Sequence, residues 1–146
     1  METNISEIQV SYTNANKERL QIKNSIDSHR LFFSCWSMKT IELQEEAKVL
    51  LLNRNNQVLG VYPLSKGGVS GTVIDAKLVF GVALKCSASN IIIAHNHPSG
   101  NLKPSEADKN ITKKLIEAGK FLDIKLLDHL IITRSAYFSF ADELLM

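Results

Sequence analysis

The sequence is poor in cysteine, in net charge and in long apolar runs. Its 146 residues include two cysteines, Cys35 and Cys86, which are too few for a disulfide framework. We therefore expect each to be a small packed residue. The net charge of +2 gives little support for nucleic-acid binding, which usually depends on a concentrated basic footprint. No apolar run approaches the roughly 20 residues that span a bilayer, and the polar N-terminus does not resemble a signal peptide. These features predict a cytoplasmic protein without a membrane partner.

The rest of the composition is typical of a globular domain. With 45% hydrophobic residues, a chain of this length should form one domain with its own core. Residues 1–24 have few apolar positions and predict a polar lead, with a short edge strand at residues 8–12. Residues 25–146 should form the domain, and they contain no internal repeat or low-complexity segment.

Helical and strand patterns alternate along the domain. Ser25 or Asp27 could cap a first helix. Its apolar side would carry Ile26, Leu31, Phe32 and Trp36. We then expect a hairpin of strands 48–53 and 57–64, a break at Gly67 and Gly68 before residues 69–73, a helix over 75–86, a buried strand over 91–94, a long helix over 105–122, and closing strands over 125–133 and 137–140. This order predicts an α/β layered domain with a curved sheet.

The most informative stretch gathers two imidazoles, a hydroxyl and a carboxylate within fourteen residues. They belong to His95, His97, Ser105 and Asp108. Two neutral imidazoles and one carboxylate are typical ligands of a catalytic zinc ion, which keeps its fourth position for water. The stretch therefore predicts a metal site with an open position.

The neighbouring residues predict how these side chains meet. His95 and His97 follow a buried strand, and their spacing of two places them on one side of an extended chain. Pro98 and Gly100 should end that strand with a turn. In the helix that follows, Asp108 lies at the edge of the apolar stripe. That stripe consists of Ala107, Ile111, Leu115, Ala118 and Leu122. A partly buried carboxylate is costly unless it is paired or bound to a metal, so we expect Asp108 to face the histidines.

Each part of this stretch also has a purely structural interpretation. Ser105 and Asp108 form a Ser-x-x-Asp sequence, which could simply cap the helix. Histidines at a strand end often hydrogen-bond to the backbone. Capping, however, explains neither the paired histidines nor their location on a loop between a strand and a helix, where functional residues commonly lie. Ser105 could cap the helix, stabilise an oxyanion, or do both.

The pattern resembles the signature of the JAMM (MPN-type) metallopeptidases. Its fixed positions are occupied here by His95, His97, Pro98, Ser105 and Asp108. The sequence around the motif and over residues 127–131 is similar to the RadC branch of that family, and the resemblance extends from about residue 40 to the C-terminus. It implies a single JAMM/MPN domain with a cytidine-deaminase-like layered fold, in which a curved mixed sheet is flanked by helices. It also implies zinc ligation by His95, His97 and Asp108, with the Ser105 hydroxyl stabilising an oxyanion.

The resemblance further implies a glutamate as general base, placed just before an early strand. Glu45 fits best, eight residues before Asn53, although Glu46 and Glu42 are close by. Such a base would take a proton from water and return it to a leaving amine. The implied reaction is therefore hydrolysis of a peptide or isopeptide bond.

The sequence gives little support for two functions other than hydrolysis. Zinc nucleobase deaminases need His-x-Glu and a later Pro-Cys-x-x-Cys, and neither is present. The historical link of RadC proteins to DNA repair suggests a non-catalytic accessory of recombination with a structural metal site and DNA as partner. The lysines that could bind DNA are Lys103, Lys109, Lys113 and Lys120. Glu106 and Glu117 border them, which favours a solvated helix face, and no Gly-rich helix-hairpin-helix segment is present.

Two further histidines need an assignment. His129 could be a hydrogen-bond partner of a ligating histidine. We favour a structural histidine paired with Asp128 or with the backbone. His29 has no companion ligands and is expected at the surface. Phe32 and Trp36 are expected in the core.

Overall fold

The structure is a computed structural model that describes residues 4–14, 18–68 and 73–146. Its helices and strands are α1 (Ser25–Cys35), β1 (Glu46–Leu52), β2 (Val58–Lys66), α2 (Ala76–Lys85), β3 (Asn90–Asn96), α3 (Glu106–Leu122), β4 (Lys125–Ile132) and β5 (Tyr137–Ser139). The predicted hairpin, the three helices and the closing strands are therefore confirmed. Most of the segment 69–73 lies outside the described residues. Among the described helices, none has the length and apolar character required to cross a membrane.

The strands form one open, mixed sheet in the order β2-β1-β3-β4-β5. β1 is antiparallel to both β2 and β3, β3 is parallel to β4, and β5 closes the edge antiparallel to β4. The parallel pair needs a crossover, which α3 provides between β3 and β4. This arrangement confirms the predicted α/β fold with a mixed sheet.

Helices cover both faces of the sheet because successive strand residues point to opposite sides. Val49, Leu51 and Ile93 are buried on the face that packs against α2 and α3. Leu50 and Ile92, their neighbours in sequence, are buried on the face that packs against α1. The result is a three-layer domain, and the odd-numbered positions of β3 face α3.

A close contact fixes the way in which α3 leads into β4. Asp123 ends the helix in the left-handed conformation, with φ of 54°. The Ile124 amide donates to the Gly119 carbonyl over 3.0 Å. A Cβ atom on Gly119 would lie 2.1 Å from the Ile124 carbonyl oxygen, so a side chain does not fit there. This glycine lets β4 begin directly against the helix that carries Asp108.

Two predictions for the N-terminal part of the chain are wrong. Residues 8–12 form no strand, and Ile8 and Val10 are 86% and 64% exposed, so they do not pack into the core that the described residues form. The cap of α1 is Asn24, whose side chain accepts from the Asp27 amide, while Asp27 accepts from the Lys23 amide. Asp27 thus takes part in the cap from the third helical position.

Several side-chain placements also differ from expectation. In α3 Leu115 is buried and Ile111 and Ala118 are partly buried, as predicted, but Ala107 and Leu122 at the ends of the predicted stripe are exposed. Thr112 and Gly119 are also buried. Among the other misplaced side chains are Ile26, which is exposed, Cys35, which is also exposed, and His29, which is half-buried and stacks on Tyr137 at 4.3 Å. Phe32 and Trp36 are buried as predicted.

Candidate metal centre

Three side chains from β3, the following loop and the first turn of α3 converge on one point. The Nε2 atoms of His95 and His97 lie 3.0 Å apart. Asp108 places Oδ1 3.2 Å from His95 Nε2 and Oδ2 3.3 Å from His97 Nε2. The structure therefore brings together the three residues that the sequence predicts as ligands. Their role as ligands remains a prediction.

The size and chemistry of this donor set fit a small divalent ion. Tetrahedral zinc with bonds of about 2.0–2.1 Å has ligand atoms about 3.3 Å apart, close to the separations observed here. His97 Nδ1 lies 2.6 Å from the Asn101 carbonyl oxygen, which can only accept a hydrogen bond. Nδ1 therefore carries a hydrogen, and in the neutral form of the ring Nε2 turns a lone pair toward Asp108 and His95. The residues present could hold a metal ion.

Glu45 supplies a second carboxylate at the same point. Ligand atoms of Glu45, His95 and His97 all lie within 4.8 Å of one another, and Glu45 Oε1 is 3.9 Å from His97 Nε2. Sheet register explains this placement. Ala47 pairs with His95 across β1 and β3, so the residue two positions before Ala47 reaches the same face beside His97.

The other two glutamates considered as base point elsewhere. Glu46 is buried and lies 3.7 Å from the Lys66 ammonium. Glu42 is paired with Arg134. Strand alternation separates Glu45 from Glu46, because adjacent residues project to opposite faces. Of the three, Glu45 is the one at the cluster, and its action as base remains a prediction.

Asn96, which was not predicted as a site residue, fixes the chain segment that carries Glu45. Its fully buried side chain donates to the carbonyls of Ile41 at 2.8 Å and Gln44 at 2.9 Å. It also accepts from the Glu46 amide at 2.7 Å. The position of Asn96 between the two histidines was the available signal. One residue thus ties the glutamate segment to the strand that carries His95.

Ser105 caps α3, which confirms the structural interpretation of this residue. Its hydroxyl oxygen accepts from the Asp108 amide at 3.0 Å, and its own amide donates to Asp108 Oδ2 at 2.9 Å. These two bonds form a capping box. Because the hydroxyl acts only as an acceptor in the cap, its hydrogen is available for another partner.

Comparisons with known proteins bear on the identity of this domain. The family model described as a RadC-like JAB domain matches residues 22–145. The chain belongs to this family. Similar curated proteins, each named UPF0758 protein, come from Flavobacterium johnsoniae, at 56% identity over 68% of this chain and 43% of the relative, from Porphyromonas gingivalis, at 45% over 83% and 54%, and from Thermotoga maritima, at 36% over 88% and 58%. The chain spans about half the length of these relatives. Their names specify no reaction.

The electrostatics of this RadC-like JAB domain couple Asp108 to the two histidines. Burial raises the pKa of Asp108, but the neighbouring side chains of His95 and His97 outweigh burial and hold that pKa well below its ordinary value. Burial lowers the pKa of His97, but the nearby Asp108 carboxylate and the Asn101 carbonyl outweigh burial and leave this pKa raised. Asp108 is therefore held as a carboxylate, the form that binds a cation.

His129 lies behind His95 in the RadC-like JAB core, where its ring contacts His95, as the alternative interpretation predicted, while its pairing with Asp128 is made by the backbone amide. Its Nε2 is 2.8 Å from His95 Nδ1, and its Nδ1 is 2.7 Å from the Thr112 hydroxyl. Asp128 accepts from the His129 backbone amide at 2.7 Å and from the Ser139 hydroxyl at 2.6 Å. Complete burial lowers the pKa of His129 well below its ordinary value.

Thr112 is a second residue that sequence reasoning missed. It is buried, one turn after Asp108, and its hydroxyl lies 2.8 Å from the Asp108 carbonyl oxygen. The sequence did contain a signal for Thr112, since it is a polar residue on the buried face of α3, four positions after a predicted ligand. Thr112 connects His129 to the backbone of Asp108.

Proposed function

We propose that this domain is a metal-dependent hydrolase that cleaves an amide bond of the peptide or isopeptide type. One observation carries the proposal: a second carboxylate, that of Glu45, lies 3.9 Å from the His97 nitrogen beside His95 and Asp108. A purely structural metal site is usually closed by four protein ligands, whereas a catalytic site has three and an open position. A nearby acid that is not needed as a ligand could act as a base.

We propose zinc as the metal, held by His95, His97 and Asp108, with one position left for water. Histidine and carboxylate ligands also suit other divalent ions, so the choice of zinc rests on the resemblance to the JAMM signature. When bound, the ion would lower the pKa of water and polarise the substrate carbonyl.

The side chains then have separate tasks in the proposed reaction. Glu45 takes a proton from water as the water oxygen bonds to the carbonyl carbon. It passes that proton to the amine nitrogen as the carbon–nitrogen bond breaks, which gives a carboxylic acid and an amine. Ser105 keeps its oxygen in the helix cap and donates its hydroxyl hydrogen to the developing oxyanion.

The surface of α3 favours this proposal over DNA binding. Lys109 lies 3.4 Å from Glu106, and Lys120 lies 2.9 Å from Glu117, both one helical turn apart. These acids neutralise part of the lysine stripe, so it resembles a solvated helix face more than a phosphate-binding surface. Peptide or isopeptide substrates are therefore the proposed partners.

Turnover by a glutamate variant tests the proposal. Metal-loaded protein would be assayed against a panel of peptides and isopeptides. We expect Glu45→Gln to lower kcat by about 10²–10⁴-fold while metal content is unchanged. Glu42→Gln is the matched control, because Glu42 is exposed and paired with Arg134. Equal turnover by Glu45→Gln and the parent chain would contradict the proposal. Salt-sensitive DNA binding that survives metal removal, without hydrolysis, would favour the accessory function.

A further inference from the structure

We propose that Thr112 and His129 are positioning residues that keep the imidazole hydrogen of His95 on Nδ1, so that its Nε2 is free to bind the metal. The inference rests on the metal-binding part of the proposed function and does not depend on catalysis. It follows from the direction of consecutive hydrogen bonds that start at Asp108 and end at His95.

The first step concerns the Thr112 hydroxyl. It lies 2.8 Å from the Asp108 carbonyl oxygen, which can only accept, so the single hydroxyl hydrogen is used there. The Thr112 oxygen must then be the acceptor in its 2.7 Å contact with His129 Nδ1. His129 therefore carries its hydrogen on Nδ1.

The second step concerns the direction of the hydrogen bond between His129 and His95. His129 is fully buried, and among the described residues its ring has no hydrogen bond to a carboxylate, so the neutral ring is favoured. A neutral imidazole with its hydrogen on Nδ1 offers a lone pair on Nε2. His95 Nδ1, 2.8 Å away, must donate to it. The Nε2 atom of His95 is then left without a hydrogen.

The third step concerns the two facing nitrogens. The Asn101 carbonyl fixes a hydrogen of His97 on Nδ1, so in the neutral ring that binds a metal His97 Nε2 also presents a lone pair. The two Nε2 atoms are 3.0 Å apart beside the Asp108 carboxylate. Two lone pairs at this distance repel each other unless a cation lies between them. The hydrogen bonds of the fold thus prepare a site for a cation.

The series of hydrogen bonds begins and ends at proposed metal ligands. It runs from Asp108 through Thr112 and His129 to His95, and so connects α3, β4 and β3. Hydrogen-bond partners of ligating histidines fix their tautomer and orientation, and their loss typically weakens metal binding by about 10–100-fold. Thr112 should therefore affect metal affinity although it does not contact the metal.

A matched pair of variants at one position tests this inference. Thr112→Ser keeps the hydroxyl, and Thr112→Val keeps the shape without it. Zinc affinity of metal-free protein would be measured by competition with a chromophoric chelator, after circular dichroism has checked the fold. We expect Thr112→Val to bind zinc about 10–100-fold more weakly and Thr112→Ser to remain within about threefold of the parent chain. Equal affinity of the two variants would overturn the inference.

A second measurement needs no variant. Nitrogen-15 NMR of the imidazole rings in the metal-free parent chain should show the hydrogen of both His95 and His129 on Nδ1. A hydrogen on Nε2 of His95 would overturn the inference even if the variants fail to fold. If the parent chain binds no zinc at all, the proposed function fails, and the NMR result still decides the inference. If both variants bind zinc equally well, the inference fails alone.

Discussion

The carboxylate of Asp108 takes part in both the helix cap and the candidate metal site. Oδ2 accepts from the Ser105 amide at 2.9 Å and approaches His97 at 3.3 Å, while Oδ1 approaches His95 at 3.2 Å. The capping box therefore holds this side chain toward the histidines. The structural and the functional interpretations of the Ser-x-x-Asp sequence are compatible.

Substitution of Ser105 separates its cap from its proposed catalytic task. Asparagine caps helices as well as serine does but has no hydroxyl. We expect Ser105→Asn to preserve the free energy of unfolding within about 0.5 kcal/mol, and Ser105→Ala to lower it by about 1 kcal/mol. Both variants should lose turnover, because neither can donate a hydroxyl hydrogen to the oxyanion. Urea denaturation and kcat are the measurements. Full turnover by Ser105→Asn would show that Ser105 only caps the helix and has no catalytic task.

At the scale of elements, the site depends on connections between segments that are distant in sequence. Asn96 connects the end of β3 to residues 41–46, and Gly119 allows α3 and β4 to approach closely. Neither residue contacts the proposed metal. Both determine where the site residues lie.

Asn96→Ala should displace the glutamate segment and leave the histidines in place. The change leaves the carbonyls of Ile41 and Gln44 without their donor, so we expect a loss of about 1–3 kcal/mol in the free energy of unfolding. Amide hydrogen exchange at Glu46 should accelerate. Zinc affinity should change less than threefold, whereas kcat should fall nearly as far as in Glu45→Gln. A parallel loss of zinc affinity and kcat would mean that Asn96 supports the ligands instead.

Two glycines offer a matched test of the contact between α3 and β4. Gly119→Ala places a Cβ 2.1 Å from the Ile124 carbonyl oxygen, and such overpacking typically costs about 1–3 kcal/mol. Gly81→Ala, in α2, meets nothing within 4 Å and should stabilise the protein by about 0.5–1 kcal/mol. Thermal or urea unfolding of the two variants measures these changes. Similar effects of both substitutions would contradict the proposed tight contact.

The whole molecule depends on pH partly through Asp128. Burial raises the pKa of Asp128, although hydrogen bonds from Ser139, Ala141 and His129 lower it. Folding therefore favours the protonated acid. This contribution to stability is fully present below the unfolded pKa of about 3.9 and is lost as pH rises through the folded-state pKa.

Asp128→Asn removes this dependence, since an amide can accept from the two backbone amides and donate to Ser139. In the presence of a chelator, we expect the free energy of unfolding of the parent chain, relative to Asp128→Asn, to decrease as pH rises from about 4 toward neutrality. Urea denaturation at a series of pH values measures it. An increase with pH would show that the hydrogen bonds outweigh burial.

The sequence predicted what local periodicity and residue chemistry determine. The apolar run at residues 91–94 predicted the buried strand β3, and the two histidines and Asp108 are brought together as expected. The hydrogen bond between His129 and Thr112 could not be predicted, because it depends on how α3 crosses between the parallel strands β3 and β4. The prediction of an edge strand at residues 8–12 was wrong, because an alternation of apolar and polar residues does not by itself supply a surface on which the strand could pack.

An anomalous diffraction map of crystals grown from zinc-loaded protein tests the central claim most directly. We expect one zinc peak within bonding distance of His95 Nε2, His97 Nε2 and a carboxylate oxygen of Asp108. Glu45 should lie close to the zinc but outside bonding distance. Zinc bonded to Glu45 in place of Asp108 would contradict the proposed base. A map without a peak between the two histidines would contradict the metal centre itself.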